Sequence, residues 1–205
     1  MKVIDIINLV AKLVDEIDVK NCVDYCLKNN LSLSELFSLS NDDTQQLAFL
    51  NENSKTTLNT MLDAVNITQT LIATEYKPVF KTEQINIQNN EFLIENLSQQ
   101  LFKVKEITLN NKKQKFVITD NKISVENGNA LITYSYIPSQ VCFEDTIKNF
   151  NGVSIITMAY LVCAQYCLIK CSFEESSMWQ QKFEQALLNN FKPINNISIK
   201  TRRWS

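Results

Sequence analysis

The side chains able to do chemistry in this sequence are few. Its 205 residues include no histidine, which removes the commonest general base, the commonest metal ligand and every Ser-His or Cys-His nucleophile pair. The six cysteines are Cys22, Cys26, Cys142, Cys163, Cys167 and Cys171. No two of them form a C-x-x-C pair, and Cys163, Cys167 and Cys171 recur every fourth residue along one drifting helix face, unlike the short-spaced pairs that make a zinc loop. They read as reduced thiols, small apolar core residues in a reducing compartment. Two acid pairs, Asp42-Asp43 and Glu174-Glu175, are the remaining candidates for holding a divalent ion in a carboxylate enzyme. Paired acids near helix starts are more often caps and dipole partners. Only two glycines, Gly128 and Gly152, are present, which excludes a P-loop or a dinucleotide-binding turn. The sequence therefore predicts no catalytic residue, no cofactor and no metal, and a chain that is not an enzyme.

The strongest candidate for function is a binding segment at the C-terminus. Val153 to Cys171 reads as a helix that is apolar almost all round, the pattern of a central buried helix. Gln165 and Lys170 interrupt it, and a membrane span needs about 20 continuous apolar residues, so no membrane partner is expected. A second helix opens on a possible capping box, Ser172-Phe173-Glu174-Glu175. It carries the stripe Trp179, Phe183, Ala186, Leu187 and stops before Pro193. After Pro193 the composition changes. Ile197 and Ile199 alternate as in a strand that adds to another sheet or lies in a groove. Lys200, Arg202, Arg203 and Trp204 follow; both arginines of the protein are here, and Arg and Trp are enriched at interface hot spots. Ile197, Ile199, Lys200, Arg202, Arg203 and Trp204 are the candidate partner-binding residues. A solvated terminus is the plain alternative.

The elements that must carry this segment follow from periodicity. Val3, Ile6, Ile7, Val10, Leu13, Val14 and Ile17 predict one amphipathic helix, and Asn21 to Leu27 a short second one. Ser32 to Glu35 forms a possible capping box, and Leu47, Phe49 and Leu50 a possible short helix. A longer helix covers roughly Lys55 to Glu75, its apolar stripe interrupted by Thr68 and Gln69. From Val79 the period becomes two, through Gln84–Gln88, Val104–Leu109 and, after a turn at Asn110–Lys113, Phe116–Ile118. Ile123–Val125 is expected to pair with Ala130–Tyr136 as a hairpin closed by Asn127-Gly128, the strongest short-range hairpin signal. Helices, then strands, then helices argue α+β. The expected organisation is a mainly helical bundle of N- and C-terminal helices (1–78 and 139–192), an antiparallel β insertion (79–138) and an extended docking tail (193–205). The formal net charge of −2 gives no broad footprint for nucleic acid. No signal-peptide pattern is visible at the N-terminus.

This layout resembles the head-to-tail adaptor (connector) proteins of tailed bacteriophages, in particular the tail tubular protein A type of short-tailed phages. The shared phrases are Ala73-Thr74-Glu75-Tyr76-Lys77-Pro78-Val79, Ile132 to Pro138, Ala164 to Leu168, Phe173 to Trp179 and the terminal Lys200-Thr201-Arg202-Arg203-Trp204. The resemblance implies a structural virion protein, made in the host cytoplasm and residing in the neck. It would form a homo-oligomeric ring of about twelve copies beneath the portal protein, with a tail or further neck protein below. Its extended C-terminal segment would dock on the portal, and double-stranded DNA would pass through without specific contacts. A near-neutral charge suits such a bore, since a strongly basic one would hold DNA by its phosphates. The rival reading is a regulatory module that binds another partner through the same tail.

Overall fold

The computed structural model describes residues 1–38, 49–148 and 150–190. It is a mixed α and β fold, with six α-helices and two antiparallel sheets among the described residues. The N-terminal pattern breaks earlier than its periodicity predicts. Helix α1 (Val3–Leu13) buries Val3, Ile6, Ile7, Val10 and Ala11. The chain then turns at Asp15, whose φ is +58°, a conformation that Asp tolerates better than most residues. Ile17, expected on the first helix, instead starts α2 (Ile17–Asn29) and is exposed. This second helix is longer than expected, because Asn30 can take the left-handed cap at φ +52°.

Capping fixes the next two starts. At α3 (Leu33–Ser38) the expected box is complete: Glu35 N–H donates to Ser32 Oγ at 3.0 Å and Ser32 N–H to Glu35 Oε2 at 2.7 Å. Helix α4 (Glu52–Leu71) begins before the expected Lys55, because Asn51 and Ser54 form their own reciprocal box. It runs into a π-helical turn, Ile72–Tyr76. After the β region, Ser154 caps α5 (Ile155–Ile169), and α6 (Phe173–Asn190) returns against it.

The helices before and after the β region share one core. Leu58, Met61, Val65 and Ile72 meet Met158, Leu161, Val162, Trp179 and Phe183 there. The returning segment is strapped to the N-terminus as well. Val3 N–H donates to Asp145 O at 3.0 Å and Ile147 N–H to Met1 O at 2.8 Å, while Ile147 and Phe150 enter the core. The helical bundle is thus built from segments on both sides of the β region, with the strands inserted between.

The inserted strands do not form a simple meander. One sheet has the order β1 (Phe80–Ile87), β7 (Gly128–Tyr136), β3 (Leu101–Leu109), β4 (Lys112–Lys113). The other has β2 (Glu91–Leu93), β6 (Lys122–Ser124), β5 (Val117–Thr119). A second apolar core unites them, with Ile85, Ile107, Ile132 and Tyr134 from the first and Phe92 and Ile123 from the second. The hairpin expected at Asn127-Gly128 is therefore absent. Ile123 pairs with Phe92 and Ile118, and Ala130 with Ile85 and Leu109. Gly128 opens β7 at φ +138°, where an added Cβ would stand 3.0 Å from Leu109 Cδ1. The tight turns fall on asparagines: Asn89-Asn90 at φ +54° and +60°, and Asn110-Asn111 at +50° and +61°. Both residues in the left-handed region is the geometry whose twist suits a two-residue hairpin, and Asn supplies it where glycine is scarce.

Candidate functional site

The candidate partner-binding residues Ile197, Ile199, Lys200, Arg202, Arg203 and Trp204 lie outside the described residues, as do Asp42 and Asp43. The structure does describe the surface from which that segment departs. Trp179, Phe183 and Leu187 of α6 are buried as their spacing predicts, while Leu188, in the last turn, is 71% exposed. Beside it the π-helical turn brings Tyr76 round to α6. Its ring meets Phe183 edge-on at 4.9 Å. Its hydroxyl accepts from Gln180 Nε2 at 3.0 Å. Tyr76, Lys77, Glu184, Leu187 and Leu188 line a shallow groove of about 420 Å³. Its lining is mostly apolar, with Glu184 adding a carboxylate and Lys77 an ammonium. Spacing gave no sign of this groove, because a π turn shifts Tyr76 off the 3.6-residue period. The local signal is a ladder of hydroxyls: Thr70 donates to Asn66 O and Thr74 to Thr70 O, the back-bonding that distorts helices.

The acid pair Glu174-Glu175 sits exposed in the first turn of α6. Glu175 Oε2 accepts from the Cys167 thiol at 3.7 Å across the α5–α6 corner. No group of three or more potential ligands that could hold a metal ion occurs among the described residues.

All six cysteines are free. Cys22, Cys26, Cys163 and Cys167 are buried, and burial pushes their thiols up to about 11, 11, 12 and 11 respectively. Cys171 departs from the expectation of a core residue. Helix α5 ends at Ile169, and Cys171 turns out to solvent at φ +61°. Cys142 is also exposed.

A cluster that the sequence reading passed over lies under the first sheet. Lys81 and Glu83 of β1 point inward and meet at 2.7 Å. Ser98 bonds both side chains, and Tyr134 donates to Glu83 Oε1 at 3.0 Å. Burial opposes the charge on Glu83, but the Lys81, Ser98 and Tyr134 bonds overcome it and hold the carboxyl at about 2. The same Glu83 contact raises Lys81. A Ser–Lys nucleophile needs a neutral lysine to take the serine proton, and here the lysine is held protonated. The cluster is a tie that pins Ser98 to the edge strand. Inward-pointing charges also discourage foreign strands from adding there.

No protein-family model matches the chain, and no curated protein matches it either. Among the described residues no helix is long and apolar enough to cross a membrane.

Proposed function

We propose that the chain is a structural virion protein, a head-to-tail adaptor that assembles as a ring between portal and tail at the neck. In this reading it docks through residues 193–205 and leaves a channel for DNA. One observation carries it. The helices on both sides of the β insertion share a core that is already closed by Trp179, Phe183 and Leu187. The alternating Ile197 and Ile199 and the terminal Arg202, Arg203 and Trp204 follow the last of these helices in the sequence. A segment of that composition supplies apolar anchors and bidentate charge for a partner. The groove at Tyr76, Leu187 and Leu188 stands at its root and offers the partner a further apolar contact.

Light scattering on the protein alone and mixed with an assembled portal ring tests this. The expected result is a complex whose added mass corresponds to about one adaptor per portal subunit. A monomer on its own is compatible with assembly on a portal template. No added mass at saturating protein would end the adaptor reading.

A further inference from the structure

The β insertion and the helical bundle share a cavity of about 130 Å³ where they meet. Gln69 of α4 and Tyr136 of β7 both line it, together with residues of the returning segment between Pro138 and Phe150. Val79, Pro138, Val141, Ile147 and Phe150 make the lining largely apolar. An apolar cavity of about 150 Å³ takes up benzene, so this space suits a compact apolar group of that size.

The polar groups around the cavity have hydrogen-bond donors to spare. Tyr136 is 3% exposed, and its hydroxyl accepts from Lys148 Nζ at 2.7 Å. A tyrosine hydroxyl that accepts still has its own proton to give, and a lysine ammonium carries three. Lys148 makes no ion pair among the described residues, and the side chains of Gln99 and Thr146 make no hydrogen bond among them. No carboxylate lines the cavity. The two neighbouring acids in the returning segment are occupied: Asp145 Oδ2 accepts from Cys142 N–H at 2.7 Å, and Glu144 Oε1 from Ser34 Oγ at 2.8 Å. Lys2 forms a β-bridge with Thr146. Residues directly opposite in an antiparallel pair share a face, which sets a second ammonium on the side of Thr146.

We propose that this cavity binds a carboxylate carried on a compact apolar group. The apolar group fills the space beside Val79, Val141 and Phe150, and the carboxylate accepts the uncommitted protons of Lys148 and Tyr136. Phosphate suits the site less well, because it brings no apolar body and most of the lining offers nothing to its oxygens. A free small acid and the C-terminal residue of a peptide share the required chemistry. Because both sides of the joint line the cavity, the ligand holds the β insertion against the bundle. The site uses none of the residues that carry the adaptor reading and is independent of it.

Titration followed through the backbone amide signals by two-dimensional NMR tests this, with benzoate and N-acetyl-leucine as probes. Benzyl alcohol keeps the body of benzoate without its charge, and inorganic phosphate keeps charge without the body. Benzoate should shift the amides of Tyr136, Ile147 and Lys148, with an affinity on the order of millimolar for a ligand so small. Benzyl alcohol and phosphate should bind wild type about tenfold more weakly or worse, and so should benzoate bind Lys148→Met, since each loses the charge-assisted bond or the buried body. Lys105 lies over the ring of Phe80 on the first sheet, and Lys105→Met should leave benzoate binding as in wild type. N-acetyl-leucine binding assigns the site to a peptide C-terminus, and benzoate binding alone assigns it to a free acid. The proposal is overturned if neither probe shifts these amides, if phosphate binds as tightly as benzoate, or if benzoate binding is unchanged in Lys148→Met or falls equally in Lys105→Met. If Lys148→Met folds poorly, wild type decides: equal affinity for benzoate and benzyl alcohol overturns it.

Discussion

Replacing Asn66 with alanine should loosen the joint between the β insertion and the helical bundle. Asn66 Oδ1 accepts from Val141 N–H at 2.8 Å, and its Nδ2 donates to Val141 O at 3.1 Å. The side chain thus mimics a strand partner for the chain returning from β7. Gln69, one turn on, donates from Nε2 to Asn66 Oδ1 at 3.1 Å and to Ser139 O at 2.8 Å. Each such bond contributes about 1 kcal/mol net, and Val141 is only partly buried, so its freed groups recover some water. Asn66→Ala should therefore cost about 2 kcal/mol and lower Tm by about 4–8 °C for a chain of this size. Gln69→Ala should cost about 1–2 kcal/mol, and the double variant less than the sum, because the two share a bond. Urea unfolding gives the free energies, and limited proteolysis should show faster cleavage between residues 139 and 148. Single variants within about 0.5 kcal/mol of wild type, with unchanged cleavage, would refute the idea that these amides clamp the returning chain.

Two further outcomes follow from the titrating groups. Glu83 sits at about 2 in the fold against 4.5 for an unperturbed glutamate. Its stabilisation is then complete above about pH 5 and lost as pH falls toward 2. Allowing for solvent screening, Glu83→Gln should cost about 1–2 kcal/mol at neutral pH. The gap to wild type should narrow below pH 4.5 and close only as pH falls through about 2, and a gap that is constant with pH would show that the carboxylate charge contributes nothing. In thiol labelling of the folded protein, Cys142 and Cys171 should react and the four buried cysteines, with thiols raised to about 11–12, should wait for unfolding. Fast modification of Cys163 would contradict its place in the core.

Fold class was legible because long patterns carried it. The stripe of α6 and the burial of α5 are products of spacing, and Ser32 and Glu35 cap as their types require. What misled was local chemistry with more than one outcome. Asn127-Gly128 has the composition of a hairpin, but the burial of Ile123 beside Phe92 and of Ala130 beside Ile85 places its flanks in different sheets. Pairing partners far apart in sequence decided that turn. Asp15 ended α1 inside an unbroken apolar pattern. Thr68 and Gln69 looked like interruptions of a stripe, yet both are buried, and Gln69 does its work on Ser139. At the candidate site, Leu187 was readable from α6, whereas Tyr76 reached the groove through a π turn that no apolar period announces.

In the proposed function, residues 193–205 join this protein to a larger partner and the helical bundle folds without them. Co-sedimentation of full-length chain and a chain ending at residue 192 with assembled portal rings measures it directly, with circular dichroism on both. The expected result is the same helical signal and unfolding midpoint for the two, with the full-length protein pelleting and the shortened one remaining in the supernatant. Equal pelleting by both, or loss of the helical fold on shortening, would contradict it.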